Sequence, residues 1–307
     1  MEQNKNIQGH ILAFITIFIW GTTYISTKVL LRDFLPIEIL LIRFVLGFVI
    51  LFLVYPHKLK LTDKKQELMF AAAGLCGVTL YYLLENIALV YTRASNVGVI
   101  VAVSPCFIAI LAHFCLEKEE LKLRFFAGFI IAMVGIIFIT FNGATTFAIN
   151  PLGDLLALLS AVVWAIYSIL TRKICQYGYH TVATTRHIFF YGIIFMLPTL
   201  FFFDFKMDLE RFTNITNILN LLFLGLMASA LCFVTWSLAV KFLGAIKTSV
   251  YIYTVPVITV VTSVIVLHER ITVVSSVGIL LTLLGLMISE SRMKFHKQDE
   301  KESLISE

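Results

Sequence analysis

Charge is scarce in this sequence. Only 14% of its 307 residues are Asp, Glu, Lys or Arg, while 59% are apolar, whereas a soluble domain carries about 25% charged residues. That balance excludes an ordinary water-soluble globule. The five cysteines, Cys76, Cys106, Cys115, Cys175 and Cys232, show no CxxC spacing, so neither a disulfide framework nor a metal site is expected. No GxxxxGK[ST] loop, no HExxH motif, no paired catalytic acids and no Ser/His couple occurs in the long apolar runs, so neither a nucleotide-driven motor nor an intramembrane enzyme is expected. No cofactor is called for. The net charge of +5 does not argue for nucleic acid, because basic residues in a membrane chain report orientation first.

What is present is a series of apolar runs long enough for helical spans, each of which needs about 20 residues. Ten runs are expected, at 11–31, 36–54, 68–90, 94–116, 125–141, 152–171, 181–203, 218–240, 245–267 and 273–289. They are too long and too continuously apolar for barrel strands. Residues 1–10 carry a single Lys or Arg, Lys5, with no small-residue cleavage site after them, so the first span is expected to stay uncleaved. Placing both termini on one side gives that side sixteen Lys and Arg against five on the other, Arg32, Arg93, Lys206, Arg211 and Arg270. The positive-inside rule then predicts cytoplasmic termini and a cell-membrane protein.

The chain is also a duplication. Ala88, Ala94, Val99, Pro105 and Leu116 recur at one constant offset as Ala239, Ala245, Val250, Pro256 and Leu267, and Gly9, Leu12, Ala13, Trp20 and Thr27 recur as Gly153, Leu156, Ala157, Trp164 and Thr171. Five spans per copy is an odd number, so the second copy crosses in the opposite sense. The expected fold is all-α, with ten transmembrane helices as two inverted five-helix repeats, residues 1–149 and 150–291, followed by a charged cytoplasmic tail, 292–307.

Polar residues within the spans mark the candidate site. Trp20, Thr23, Tyr24 and Thr27 share one helical face, and Ser160, Trp164, Tyr167, Ser168 and Thr171 repeat it. Tyr81, Tyr82, Glu85 and Asn86 make the third expected span the richest in polar chemistry, with Trp236 standing where the second copy should repeat Glu85. A charge inside a span costs about 2.5–3.5 kcal/mol on insertion scales, so Arg43, Arg186 and Glu85 should face protein or water. For the arginines, snorkelling to a nearby headgroup stays open. For Glu85 three roles stay open: an ion pair with Arg43 or Lys28, contact with a cationic solute group, or proton uptake.

Pro105 and Pro256 lie inside apolar runs and deprive the carbonyls of Val101 and Ile252 of their helical donor, so paired helix breaks are expected there. Ser104, Thr254 and waters are candidate partners for those carbonyls, and Tyr251 extends the lining beside the second break. Gly128, Ala132 and Gly135, like Gly278, Thr282 and Gly285, put small residues on one face, a scaffold or homodimer surface. Asn214-Ile215-Thr216 matches a weak glycosylation pattern.

The ordered set of Trp20-Gly21 or Trp164-Ala165, Arg43 or Arg186, Ala88-Leu89 and Ala239-Val240, Pro105 and Pro256, then Leu116-x-x-Glu119 and Leu267-x-Glu269, resembles the EamA family of the drug/metabolite transporter superfamily. The likeness runs over roughly residues 9 to 291. It implies a ten-helix inverted-repeat carrier, typically an exporter of amino acids or other small metabolites by alternating access. Its aromatic cavity lining would here include Trp20, Tyr82 and Trp164. The extra residue before Glu119 and the doubled acid Glu119-Glu120 depart from the pattern. The expected partners are a small-molecule substrate and the bilayer, with no nucleic acid. A nucleotide-sugar or phosphate-ester carrier, or a non-transporting scaffold or receptor, is the alternative.

Overall fold

A computed structural model describes residues 2–91, 94–116, 123–141, 150–202, 209–267 and 272–290. Arg93, Lys206, Glu119, Glu120, Glu269, Arg270 and the tail 292–307 lie outside the described residues, as do the side chains of Tyr24 and Lys28. The described chain is helical, and no strand occurs in it. The first part runs α1 (Glu2–Leu30), α2 (Pro36–Val54), α3 (Lys64–Gly74), α4 (Tyr81–Tyr91), α5 (Ala94–Val101), α6 (Ser104–Cys115) and α7 (Leu123–Phe141). The second runs α8 (Pro151–Gln176), α9 (Thr181–Met196), α10 (Ile215–Leu222), α11 (Cys232–Leu243), α12 (Ala245–Val250), α13 (Thr254–Leu267) and α14 (Val273–Glu290).

Five stretches are long and apolar enough to cross a membrane: Pro36–Val54, Lys64–Ala88, Val97–Cys115, Pro151–Gln176 and Ile215–Leu243. Shorter apolar helices occupy Leu123–Ile139, Ala245–Ile258 and Val273–Ser289. Large apolar side chains point outward along them, among them Val49 and Leu53 of α2 and Leu280 and Met287 of α14. In water such a surface would be unstable; against lipid it is the solvated face.

Two stretches expected to be plain helix are π-helical instead. Leu75–Leu80 joins α3 to α4, and Phe223–Leu231 joins α10 to α11. The wider spacing of a π turn re-aims side chains and frees carbonyls from the regular ladder, which is why such turns gather at functional positions.

Both prolines break their helices. Ala102 and Val103 interrupt the path from α5 to α6, with Pro105 in the first turn of α6, while a 3₁₀ turn, Tyr251–Tyr253, precedes Pro256 in α13. The expected hydroxyl partners behave differently. Thr254 donates to the Tyr251 carbonyl at 2.7 Å rather than to that of Ile252, because a hydroxyl in a helix reaches back three or four residues and not two. Ser104 Oγ is fully buried with no protein partner.

Packing runs between the two parts of the chain more than within them. In the first part α1 packs on α11 and α13; in the second α8 packs on α4 and α6. The α2 helix lies against Phe223–Leu231, and α9 against α3 and Leu75–Leu80. At one end of the bundle the Arg211 guanidinium forms a two-pronged ion pair with Glu38, at 2.7 and 3.4 Å, and donates to the Asp33 carbonyl at 2.9 Å. Asn217 Nδ2 donates to Asp33 Oδ2 at 2.7 Å, tying the turn after α1 to the start of α10. Asn214, in the glycosylation pattern, caps α10 by accepting from the Thr216 amide at 3.0 Å.

The small-residue faces of α7 and α14 are packed on each other. A Cβ at Gly135 would stand 2.5 Å from the Thr282 amide nitrogen, and one at Gly285 would stand 2.6 Å from the Gly128 carbonyl oxygen. These faces form a scaffold inside one chain.

Candidate functional site

The centre of the bundle is aromatic. Trp20 from α1, Trp164 from α8 and Trp236 from α11 meet with ring centroids 5.5 Å (Trp20 to Trp164), 5.3 Å (Trp20 to Trp236) and 6.1 Å (Trp164 to Trp236) apart. These are the chain's three tryptophans. Tyr81 lies 4.9 Å from Trp164 and 4.8 Å from Tyr82, while Tyr167 lies 5.1 Å from Trp164. Offset and edge-on pairs of this kind add about 0.5–1.5 kcal/mol each beyond the area they bury. The sequence alone places Trp20 and Trp164 on equivalent faces; folding brings those faces together.

Two opposite charges border this centre on the tyrosine pair. Glu85, 8% exposed, accepts a hydrogen bond from the Tyr81 hydroxyl at 3.1 Å. Arg43, 6% exposed, sets its guanidinium carbon 4.9 Å from the Tyr82 ring centroid, and its Nε donates to Ser229 Oγ at 2.9 Å. Among the described residues Arg43 and Glu85 form no ion pair with each other. Each is held by hydroxyl and aromatic neighbours.

The π-helical stretches explain this arrangement. Phe223–Leu231 supplies both the Ser229 hydroxyl that fixes Arg43 and the Ala228 carbonyl that accepts from Trp20 Nε1 at 3.0 Å. Leu75–Leu80 leads directly into Tyr81, Tyr82 and Glu85, and its Thr79 donates to the Gly192 carbonyl at 2.8 Å.

Other expected site residues lie elsewhere. Arg186 donates to the carbonyls of Tyr55 and His57, the latter at 2.7 Å, just past the end of α2. It therefore closes a helix end rather than lining the centre. Tyr251 reaches His10 Nδ1 at 2.8 Å, near the start of α1. Asn86 is half-buried, Pro105 is buried and Pro256 half-buried; the prolines shape breaks rather than contributing rings to the cluster. Trp236 is fully buried, and its Nε1 has no acceptor among the described residues.

The structure adds residues that the sequence did not single out. Phe44, Phe189 and Phe233 interlock at 5.0 to 5.7 Å beneath Tyr82 and Trp164. With 27 phenylalanines in the chain, composition offers no way to choose these three. Gly77 was also missed, although a glycine inside a span is a visible signal. A Cβ there would fall 2.2 Å from Tyr167 Cδ2, and Tyr167 is fully buried. Gly77→Ala should therefore destabilise the protein by about 1–3 kcal/mol, the usual cost of overpacking. Thermal unfolding checks this, and the double variant with Tyr167→Leu should recover most of the loss; equal stability of Gly77→Ala and wild type would refute the contact.

No group of three or more His, Cys, Asp or Glu side chains suited to a metal occurs among the described residues. The arrangement offers instead a guanidinium, a carboxyl group and broad π faces, which suit binding of a small solute with polar and apolar parts.

Helices with an apolar exterior and an aromatic interior that holds buried polar groups define a polytopic membrane protein. The chain belongs to the EamA-like transporter family, whose model matches it twice, at residues 7–141 and 151–290. An uncharacterized transporter of Archaeoglobus fulgidus is 26% identical over 292 residues, covering 94% of this chain and 99% of its own. One of Clostridium kluyveri is 28% identical over 302 residues, covering 94% of each chain. The uncharacterized transporter YyaM of Bacillus subtilis is 26% identical, with 92% of this chain and 93% of its own covered. A crystal structure at 18% identity superposes with a TM-score of 0.76 over 92% of this chain and 96% of its own, a likeness of fold. The protein is thus an integral membrane transporter, whose partners are the bilayer and a small-molecule substrate.

Proposed function

We propose that this chain is a secondary transporter that exports small amphipathic metabolites, amino acids or similar solutes, by alternating access. In this reading residues 1–149 and 150–291 are inverted five-helix repeats in the cell membrane, with both termini and the tail 292–307 cytoplasmic. The reciprocal packing of α1 on α11 and α13, and of α8 on α4 and α6, supports a two-fold relation between the repeats.

The observation that carries the solute class is the pair of buried, opposite charges on one tyrosine pair, Arg43 over Tyr82 and Glu85 on Tyr81. A solute with a carboxylate and an ammonium group satisfies both, and its apolar part meets Trp20, Trp164 and Tyr167. A nucleotide-sugar or phosphate-ester carrier would need clustered cations at the centre. Arg186 is engaged at the end of α2, which leaves Arg43 as the cation seen there among the described residues.

The test compares metabolites in the medium of cells expressing the wild type with those of cells expressing Trp164→Ala at equal membrane abundance. Wild-type cells should enrich the medium in one or more amphipathic solutes, and the variant should not. Coinciding profiles would defeat either export or the placement of Trp164 at the site.

A further inference from the structure

A second polar cluster lies away from the central site, where the start of α3 meets α9. His187 Nε2 stands 3.0 Å from Glu67 Oε1, and the Tyr191 hydroxyl donates to the same carboxylate oxygen. The side chains of His187 and Glu67 are 23% and 42% exposed. On α8, packed against α3, Arg172 donates to the Val240 and Lys241 carbonyls at 2.9 and 3.1 Å, and Lys241 of α11, packed against α9, is exposed. From α3, Lys64 and Lys65 are exposed, and Gln66 accepts from Tyr179 at 2.7 Å. On α9, Arg186 turns to the Tyr55 and His57 carbonyls, and His180 before it stacks on Tyr55 at 4.0 Å. From α2, also packed on α9, the contact is apolar, Phe48 to Phe190 at 6.3 Å. Phe70 meets His187 edge to face, with centroids 5.1 Å apart, and Phe190 stacks on it at 6.3 Å.

This cluster is joined to the centre by main chain. About two turns beyond Glu67, a Cβ on Gly74 would meet the Ile188 carbonyl oxygen at 2.6 Å and the Gly192 nitrogen at 2.7 Å, so α3 and α9 touch backbone to backbone. Past that contact α3 continues through Leu75–Leu80 to Tyr81, Tyr82 and Glu85. Two residues past His187, Phe189 packs on Phe44 at 5.0 Å and on Phe233 at 5.1 Å. Whatever separates α3 from α9 at Glu67 must shift rings at the centre, because close-packed elements transmit displacement.

We propose that His187 and Glu67 form a proton-responsive latch between α3 and α9, acting as positioning residues for the aromatic centre. A neutral imidazole offers Glu67 one hydrogen bond; a protonated one adds a full charge, and charge-assisted hydrogen bonds are about twice as strong as neutral ones. Histidine changes charge between about pH 5 and 8. Acidification on the latch side therefore tightens the contact, and alkalinisation loosens it. The tryptophans report on this without a solute, since all three lie in the centre.

The experiment follows tryptophan emission of the purified full-length protein in lipid nanodiscs from pH 5.5 to 8. Wild type should show a pH-dependent change in emission. His187→Gln and Glu67→Gln should each flatten it, and His187→Lys, permanently charged, should keep the acid-form emission throughout. Both side chains are partly exposed, so the two glutamine variants leave the core intact, and gel filtration verifies that. A flat wild-type profile, or a transition that persists unchanged in both glutamine variants, overturns the latch. The readout needs no transported solute, so failure of the export assay and failure of the latch remain separate results.

Discussion

Gly135→Leu is expected to leave little folded protein in the membrane. The helices α7 and α14 meet along Gly128, Ala132 and Gly135 on one side and Gly278, Thr282 and Gly285 on the other. At Gly135 the obstacles to a Cβ are the Thr282 nitrogen and hydroxyl, both at 2.5 Å, and the Gly278 carbonyl oxygen at 2.6 Å. Main chain cannot turn aside as a flexible side chain can, so the helices must part along the seam. Helix association in lipid draws on close packing rather than on a hydrophobic drive, so a parted seam forfeits its main source of stability. The cost should reach or exceed the upper end of the about 1–3 kcal/mol seen for overpacking. The monodisperse fraction in detergent and its thermal midpoint measure this. Ile130→Leu, on the outward face of the same helix at 60% exposure, is the control and should behave as wild type. A Gly135→Leu protein matching that control would mean that the seam is not as close as described.

That seam was legible in the sequence because it depends only on spacing: small residues at i, i+4 and i+7 share a face whatever lies opposite. The same holds for the proline breaks, since a missing N–H is a property of the residue itself. Arg186 shows where such reasoning stops. In sequence it is the twin of Arg43, at a matching place in the second copy, yet Arg43 meets Ser229 and Tyr82 while Arg186 meets the Tyr55 and His57 carbonyls. Periodicity assigns a face but not the neighbour across from it, and the carbonyls just past α2 become visible only when its end at Val54 is placed beside α9. The π-helical stretches escaped for a related reason. Their hydrogen-bond register follows from how Gly74, Gly77 and Gly225 let other helices approach, and nothing in the local apolar pattern of Leu75–Leu80 separates it from an ordinary turn.

Glu85→Gln separates function from folding in a way the seam variant cannot. The Tyr81 hydroxyl, 3.1 Å from Glu85 Oε1, can donate to an amide oxygen in place of the carboxylate. Arg43 keeps its hydrogen bond to Ser229 and its place over Tyr82. The acceptor for Tyr81 is kept and the new amide NH2 is the one buried donor added, so the loss of stability should not exceed the about 1–3 kcal/mol cost of an unpaired polar group. What disappears is the negative charge offered to the solute. A hydrogen bond to a charged group is worth about 1.5–3 kcal/mol, and about 1.4 kcal/mol corresponds to a tenfold change, so export of the solutes that wild type enriches should fall by about ten- to 150-fold below saturation. If Glu85→Gln exports at the wild-type rate, the carboxylate plays no part in recognition or proton uptake. Glu85 would then be a structural acceptor for Tyr81, and the substrate's cationic group would have to be bound elsewhere. If export is lost while the fold is kept, the anion that the second repeat replaces with Trp236 is where this carrier's selectivity resides.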